Sequence, residues 1–399
     1  MITWADTRTH LLIDEIGRGA ERIALMTGIP TSPHFAAAKL RLLQRKFLEP
    51  SVLVATLDSF LLHHFTKQES FVTEDTMAAR TMLYALDDRG WNDQLCRDFG
   101  VDVNRLPRIS ASLAHHATYH GVPILACLGD QQAALLGRSR VAKRPLLNLG
   151  TIASLAVNTG PEVVRKIGLI TSVLFSRELM FGGGREMHYL VETTSPVTGS
   201  VLLEPIRRAW ASTSASLDQM CKAAATTNPA GLATAYFVNR RAALPSYPDG
   251  VPNVIVCKPG ATEADRARAV VENVGNLIVR MLEEFADKGL LGDSFPCEID
   301  IAGGGSEVDY LVQYVADVSG HIFHRMAERE ASARGAALCA WMHEKRDADI
   351  SKLNTESPVK TYHCENPARR RRYMMWQRME FDVLNKSLPP HAEIEEQKV

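Results

Sequence analysis

Two glycine-centred segments and one aspartate are the residues of this sequence best suited to chemistry. Ile299-Asp300-Ile301-Ala302-Gly303-Gly304-Gly305-Ser306 reads as a strand, a glycine turn and a helix start. Glycines let a backbone turn tightly and approach a ligand with no Cβ in the way. The N–H groups exposed there, with a helix dipole behind them, favour a phosphate. Ser306 is placed to cap the following helix, and Asp309 stands three residues on. The alternative is a plain strand-to-helix turn. The spacing is not G-x-G-x-x-G and no GxxxxGK follows a strand, so neither a dinucleotide fingerprint nor a P-loop is present. Leu149-Gly150-Thr151 makes a second tight turn between two apolar strands. Its threonine could hold a phosphate or a magnesium-bound water; as an ordinary hairpin turn it would do neither.

Asp130 closes the segment Cys127-Leu128-Gly129-Asp130, at the end of an apolar strand and the start of a helix. A carboxylate there points into the crevice where α/β proteins tend to bind ligands. It could take a proton from a hydroxyl that attacks a phosphoryl group, or simply cap the helix. Gln131 and Gln132 add amides suited to a polyol. Trp4, Asp6 and Arg8 alternate, so a strand over residues 2–8 would face them to one side. There Trp4 could stack on a sugar while Asp6 and Arg8 orient hydroxyls, or Trp4 could be core.

The elements that must position these residues alternate between strand and helix. Helices are expected over 9–24, from Phe35, over 53–65 and over 89–99. The 53–65 helix carries Leu53, Leu57, Phe60 and Leu61 on one side. A short buried strand is expected over 122–128, two more over 146–157 and another over 187–191, with 109–115 leading into a connector. Residues 199–210 read as a helix, 211–235 as helix and loops, and 245–253 as a loop. The last third carries a long helix over 262–285, a strand over 297–302, a helix over 309–319 and a small-residue helix over 331–342. Strands alternating with helices, with glycines at the switch points, give an α/β layered fold. The change of character near residue 140 predicts a boundary between domains 1–139 and 140–399. The Arg369 to Arg372 run reads as a solvated helix face.

Composition narrows the partners. There are 45 basic and 46 acidic residues in 399, so no global field attracts nucleic acid or an anionic membrane. The seven cysteines form no CxxC, which argues against a disulfide framework or a zinc site. No apolar run approaches the roughly 18 residues of a membrane span, and the N-terminus lacks a signal peptide's pattern, so the cytoplasm is expected.

Taken in order, these segments resemble the FGGY family of carbohydrate kinases, and its glycerol-phosphorylating branch most closely. The resemblance runs through Trp4-Ala5-Asp6-Thr7-Arg8, Ser32-Pro33-His34-Phe35 to Leu40, Thr73-Glu74-Asp75 to Leu83, and Gly129-Asp130-Gln131-Gln132. Gly150-Thr151, Glu192, Gly303-Gly304-Gly305 and Gly335-Ala336-Ala337 follow. It implies an actin-like, ribonuclease-H-like two-domain ATPase fold. Residues 1–139 would form the substrate side and 140–399 the nucleotide side. Asp130 would be the catalytic base. Trp4, Asp6, His34, Phe35 and Gln131 would contact a small polyol or ketose. Gly150, Thr151, Gly304, Gly305 and Asp309 would hold ATP, with Mg²⁺ as its companion and no dedicated side-chain metal site. A homo-oligomer is compatible with the resemblance.

The chain also departs from the family pattern. It opens directly at the W-x-D-x-R-like strand, without the family's phosphate-binding hairpin or the Arg-Glu pair that grips substrate in the glycerol branch. The resemblance therefore implies an incomplete first domain with an unpaired sheet edge and exposed apolar surface. The alternative that follows is an inactive fragment or a nucleotide-binding regulatory protein. Ser154, Val308 and Arg334 also stand where the family places other residue types, which leaves the sugar open.

Overall fold

In a computed structural model of the chain, the described residues are all except 1, 5, 7, 17–18, 48, 50, 68–69, 139–143, 151, 180–183, 196–210, 212, 237–253, 293, 328–329, 346–356, 385–392 and 397–399. The expected helix over 199–210, the loop over 245–253 and Thr151 lie outside them. Two compact units divide the chain. One holds residues 1–143, 156–192 and 330–355; the other holds 144–155, 193–329 and 356–399.

In the first unit, apolar residues from several short helices close a core that includes Ile23, Leu40, Met82, Leu83, Leu95 and Phe99. The helix expected over 9–24 is two helices, His10–Ile16 and Ala20–Thr27. Residues 2–8 form no strand among those described: Thr3 O accepts from Asp6 N at 3.2 Å, a local turn. The Leu57–Phe65 helix buries Asp58, Ser59 and Leu62 instead of its apolar stripe. Leu53, Leu57, Phe60 and Leu61 face outward, Phe60 being 64% exposed. The unit's sheet runs in the order Arg185–Ser195, Ile170–Glu178, Leu113–Tyr119, Val122–Ala126. Val122–Ala126 is thus an edge strand, partly exposed rather than buried. Leu113–Tyr119 is a strand where a connector was expected.

In the second unit, Ala267, Val271, Val274, Ile278 and Leu282 recur at helical spacing and are buried along the helix Glu263–Asp287. A capping box starts it: Thr262 Oγ1 accepts from Asp265 N, and the Asp265 carboxylate accepts from Thr262 N at 3.0 Å. Leu146–Leu149, Glu298–Ala302 and Ile322–Arg325 are parallel neighbours in a sheet, and Lys360–Tyr362 closes it antiparallel. The helix Asp309–Ser319 falls where the pattern put it.

The arginine run fits the expected solvated face only in part. It begins the helix Arg369–Leu384, where Arg370 and Arg371 are exposed but Arg369 and Arg372 are half-buried and reach buried acids. Arg369 pairs with buried Asp317 at 3.1 Å and lies 4.8 Å over the Tyr310 ring. Arg372 pairs with Glu272, whose other oxygen accepts from Arg268 Nε at 2.8 Å and from Tyr310 OH at 2.7 Å. Buried acids on two neighbouring helices decide this, and they lie about a hundred residues or fewer upstream, beyond the reach of local periodicity.

Candidate active site

Adjacent parallel strands deliver their C-terminal ends to the same edge of a sheet, and here each ends in glycine. Leu146–Leu149 runs into Gly150, and Glu298–Ala302 runs into Gly303, in the register Ala302 opposite Asn148. Gly303 has φ +84°, and a Cβ on it would lie 2.5 Å from the Leu149 carbonyl and 2.8 Å from Gly150 N. The two turns therefore touch backbone to backbone, and only glycine permits it. Gly304 and Gly305 begin the short 3-10 turn Gly304–Glu307. Gly305 is buried, while a Cβ on Gly304 would meet nothing within 4 Å.

This gives a contrasting pair of expectations. Gly303→Ala puts a Cβ into a fixed backbone at an unfavourable φ, which costs about 1–3 kcal/mol by overpacking. Gly304→Ala has room and leaves the melting temperature unchanged, but its methyl stands where a phosphate would approach. It raises the KM for ATP by about tenfold, the value of roughly 1.4 kcal/mol. Thermal melts and ATP titrations of both variants check this.

The helix start behind the glycines differs from the sequence expectation. Ser306 Oγ donates back to Gly303 O at 2.7 Å and does not cap the helix. The N-terminus of Asp309–Ser319 is taken by Asp218, whose carboxylate accepts from Tyr310 N at 2.6 Å. Asp309 is engaged too: it accepts from Arg325 at 2.8 Å, Tyr362 OH at 2.7 Å and Lys360 Nζ at 2.5 Å. Burial raises its pKa, but the hydrogen bonds from Lys360 and Tyr362 and the Arg325 charge outweigh it and hold it at about 2. Asp309 thus anchors the turn's surroundings: Arg325 also donates to Ser306 O at 2.9 Å.

Asp130 begins the helix Asp130–Arg138 and is exposed to solvent. Its Oδ1 accepts from Gln131 N at 2.8 Å. Its backbone is pinned on both sides. Gly129 O accepts from Ala133 N at 2.9 Å, Gly129 N donates to Thr76 Oγ1 at 2.8 Å, and Ser332 Oγ donates to Asp130 O at 2.9 Å. Gln131 is half-buried beside it. Gln132 turns into the core, its amide 3.4 Å from Val173 O, so it is not presented to a ligand.

Trp4, Asp6 and His34 are gathered, though not by a strand. Trp4 is 55% exposed, with its ring 6.1 Å from His34. Lys39 Nζ donates to Thr3 O at 2.9 Å, and to Trp4 O and His34 O at 3.0 Å. Asp6 pairs with Arg8 at 2.6 Å. Phe35 packs against the first unit's core rather than standing free. Glu192 is buried and pairs with Arg80 at 2.7 Å.

A buried polar network around Glu74 and Asp75 escaped sequence reasoning. Glu74 is 0% exposed and accepts from Thr76 N and Met77 N at 2.7 Å, from Thr76 Oγ1 at 2.5 Å and from Ser112 Oγ at 2.8 Å. Asp75 accepts from Tyr84 OH at 2.9 Å, Ser176 Oγ at 2.6 Å and Arg185 at 2.9 Å. Burial, then the neighbouring Asp58 carboxylate, pushes the Glu74 pKa up to about 8 against those donors. A folded-state pKa above the unfolded one makes a contribution that is full below the unfolded value of 4.5 and is lost as pH rises through about 8. The melting-temperature advantage of wild type over Glu74→Gln should therefore shrink from pH 5 to pH 8. A constant difference across that range would show that Glu74 does not titrate there.

Cofactor fit can be judged from the same geometry. The open face of Gly304 beside the Gly303–Gly150 contact suits close approach of a phosphate. Among the described residues no three His, Cys, Asp or Glu side chains cluster to hold a metal. Magnesium needs no such cluster: it commonly keeps several waters and binds through substrate phosphates with one or two carboxylates.

Known proteins agree with this architecture. The N-terminal domain of the FGGY family of carbohydrate kinases matches residues 1–137, and its C-terminal domain matches residues 147–344. A glycerol kinase of Saccharopolyspora erythraea is 30% identical over 366 residues, covering 85% of this chain and 70% of the relative. One from Acidiphilium cryptum is 29% identical, covering 94% and 78%. Among solved structures, Plasmodium falciparum glycerol kinase with ADP superposes with a TM-score of 0.80 at 19% identity, over 97% of this chain and 79% of that one. A ligand-bound xylulose kinase from Lactobacillus acidophilus gives 0.76 at 19% identity, over 98% and 80%. The fold is the actin-like α/β type that these kinases share. With both family domains matched in order along it, the chain belongs to the FGGY family of carbohydrate kinases.

Proposed function

We propose that the protein transfers the γ-phosphoryl group of ATP to a hydroxyl of a small polyol or ketose. The observation that carries this reading is the contact of the two glycine turns at the ends of neighbouring parallel strands, in a chain matched by both family domains. Magnesium-ATP supplies the phosphoryl group when bound. Gly150, Thr151, Gly304 and Gly305 offer backbone to its phosphates, where preorganised N–H groups stabilise developing charge. Asp130 accepts the proton of the attacking hydroxyl. Trp4, Asp6, His34 and Gln131 face the substrate. Residues 1–139 serve as the substrate side and 140–399 as the nucleotide side. No helix among the described residues is long and apolar enough to cross a membrane, and we place the enzyme in the cytoplasm.

The test is turnover of Mg-ATP with glycerol, xylulose, gluconate and related polyols, read as sugar-dependent ADP release. A rate above the sugar-free blank with one of them is expected. No sugar-dependent release with any member of the panel, from folded protein, sinks the proposal.

A further inference from the structure

The first unit buries a carboxylate that the reaction does not use, and its hydrogen bonds lead to the residue before Asp130. Glu74 ends the strand Val72–Glu74. Two of its four donors, Thr76 N and Met77 N, are backbone amides that can only donate. Thr76 Oγ1 is the third donor, at 2.5 Å. On its other side the Thr76 oxygen faces a backbone amide that can only donate, so it accepts there whichever partner carries the proton of its contact with Glu74. There it meets Gly129 N at 2.8 Å. The arrangement fixes the Thr76 side chain in one orientation and fixes Gly129 through it.

We propose that Thr76, oriented by the buried Glu74, is a positioning residue that sets the backbone of Asp130. The inference rests on the reading of Asp130 as the base. Three contacts bracket this backbone. Thr76 holds the amide before it, Ala133 N starts the helix from Gly129 O, and Ser332 Oγ holds Asp130 O. Thr76 supplies the contact that comes from outside both helices. Without it, the Leu128–Gly129 peptide can rotate at glycine, the residue with least resistance to rotation. The carboxylate then strays from in-line geometry, and small misplacements of a reacting group are costly in rate.

Thr76→Val keeps shape and removes the hydroxyl. It should lower kcat about 10- to 100-fold with the KM for ATP unchanged, and Thr76→Ser should recover kcat to within about threefold. If the valine variant does not fold, Thr76→Ala removes the same hydroxyl without adding a methyl and carries the same expectation. The same substitution is then made in Asp130→Asn. Because Thr76 acts through Asp130, its effect on kcat should disappear there. An undiminished effect in that background overturns the proposal, as does a lowered melting temperature with unchanged kcat in either hydroxyl-free variant. Full turnover by Asp130→Asn alone is a separate failure, of the base assignment itself.

Discussion

Asp130→Asn is expected to lower kcat by about 10²- to 10⁴-fold, the usual contribution of a positioned general base. That corresponds to roughly 3–5 kcal/mol of transition-state stabilisation at about 1.4 kcal/mol per tenfold. The substitution isolates the chemistry. Asparagine has the same shape, and its side-chain oxygen can still accept from Gln131 N, as the Asp130 carboxylate does at 2.8 Å. Only the ability to take up the hydroxyl proton is lost. The side chain is exposed, so its change should leave the melting temperature within about 1 °C, as is usual for surface substitutions. The KM for ATP should also stay constant, since the phosphates are read as held by the backbone of the glycine turns and not by this side chain. Steady-state kinetics with saturating Mg-ATP and the best substrate of the panel provide the measurement. Turnover within threefold of wild type would remove Asp130 from the mechanism. Loss of kcat together with a large rise in the KM for ATP would instead place the residue at the nucleotide.

The parts of the site that were legible in the sequence are those whose cause is local. Glycines at strand ends announce Gly150 and Gly303 because nothing but a tight turn or close approach needs them there. The helices Glu263–Asp287 and Asp309–Ser319 were legible because their apolar residues recur at the 3.6-residue period, even though the fold buries polar residues between them as well, Arg268, Glu272, Asn273 and Asp317 among them. Ile170–Glu178 was missed for the opposite reason. Seven successive residues are buried, so no alternation marks it. Alternation misled at Trp4, Asp6 and Arg8, where Asp6 binds the Arg8 amide and guanidinium locally in place of strand pairing. The stripe of Leu57, Phe60 and Leu61 is helical as read, but its period says nothing about which face meets the core. Least legible were the charges whose partners are remote. Asp218 caps a helix 92 residues away, and Asp75 meets Arg185 across 110. Such pairs are set by tertiary folding, and no window of sequence contains both members.

The second large effect is expected where the helix bearing Asp130 crosses the helix Ala331–Lys345. The crossing is made glycine to glycine. A Cβ on Gly335 would fall 1.7 Å from Ala133 O, and one on Gly137 would fall 2.1 Å from Ala331 O. Both obstacles are backbone carbonyls inside helices, which cannot swing aside as a side chain can. Gly335→Ala must therefore separate the helices or break hydrogen bonds in one of them. Overpacking on this scale costs about 3 kcal/mol, the upper end of its usual range, and outweighs the gain of up to about 1 kcal/mol from better helix propensity. Function should suffer beyond stability, because Ser332 on the same helix holds Asp130 O at 2.9 Å. Moving the helix outward pulls that contact apart, so kcat should fall even at temperatures where the variant is folded. Gly137→Ala should behave alike. The double variant supplies the sharper check. Once one methyl has parted the helices the second finds room, so the two costs should sum to less than their separate values. Denaturant unfolding of the singles and the double measures this directly. Additive costs would mean that each glycine is required by its own backbone and not by the crossing.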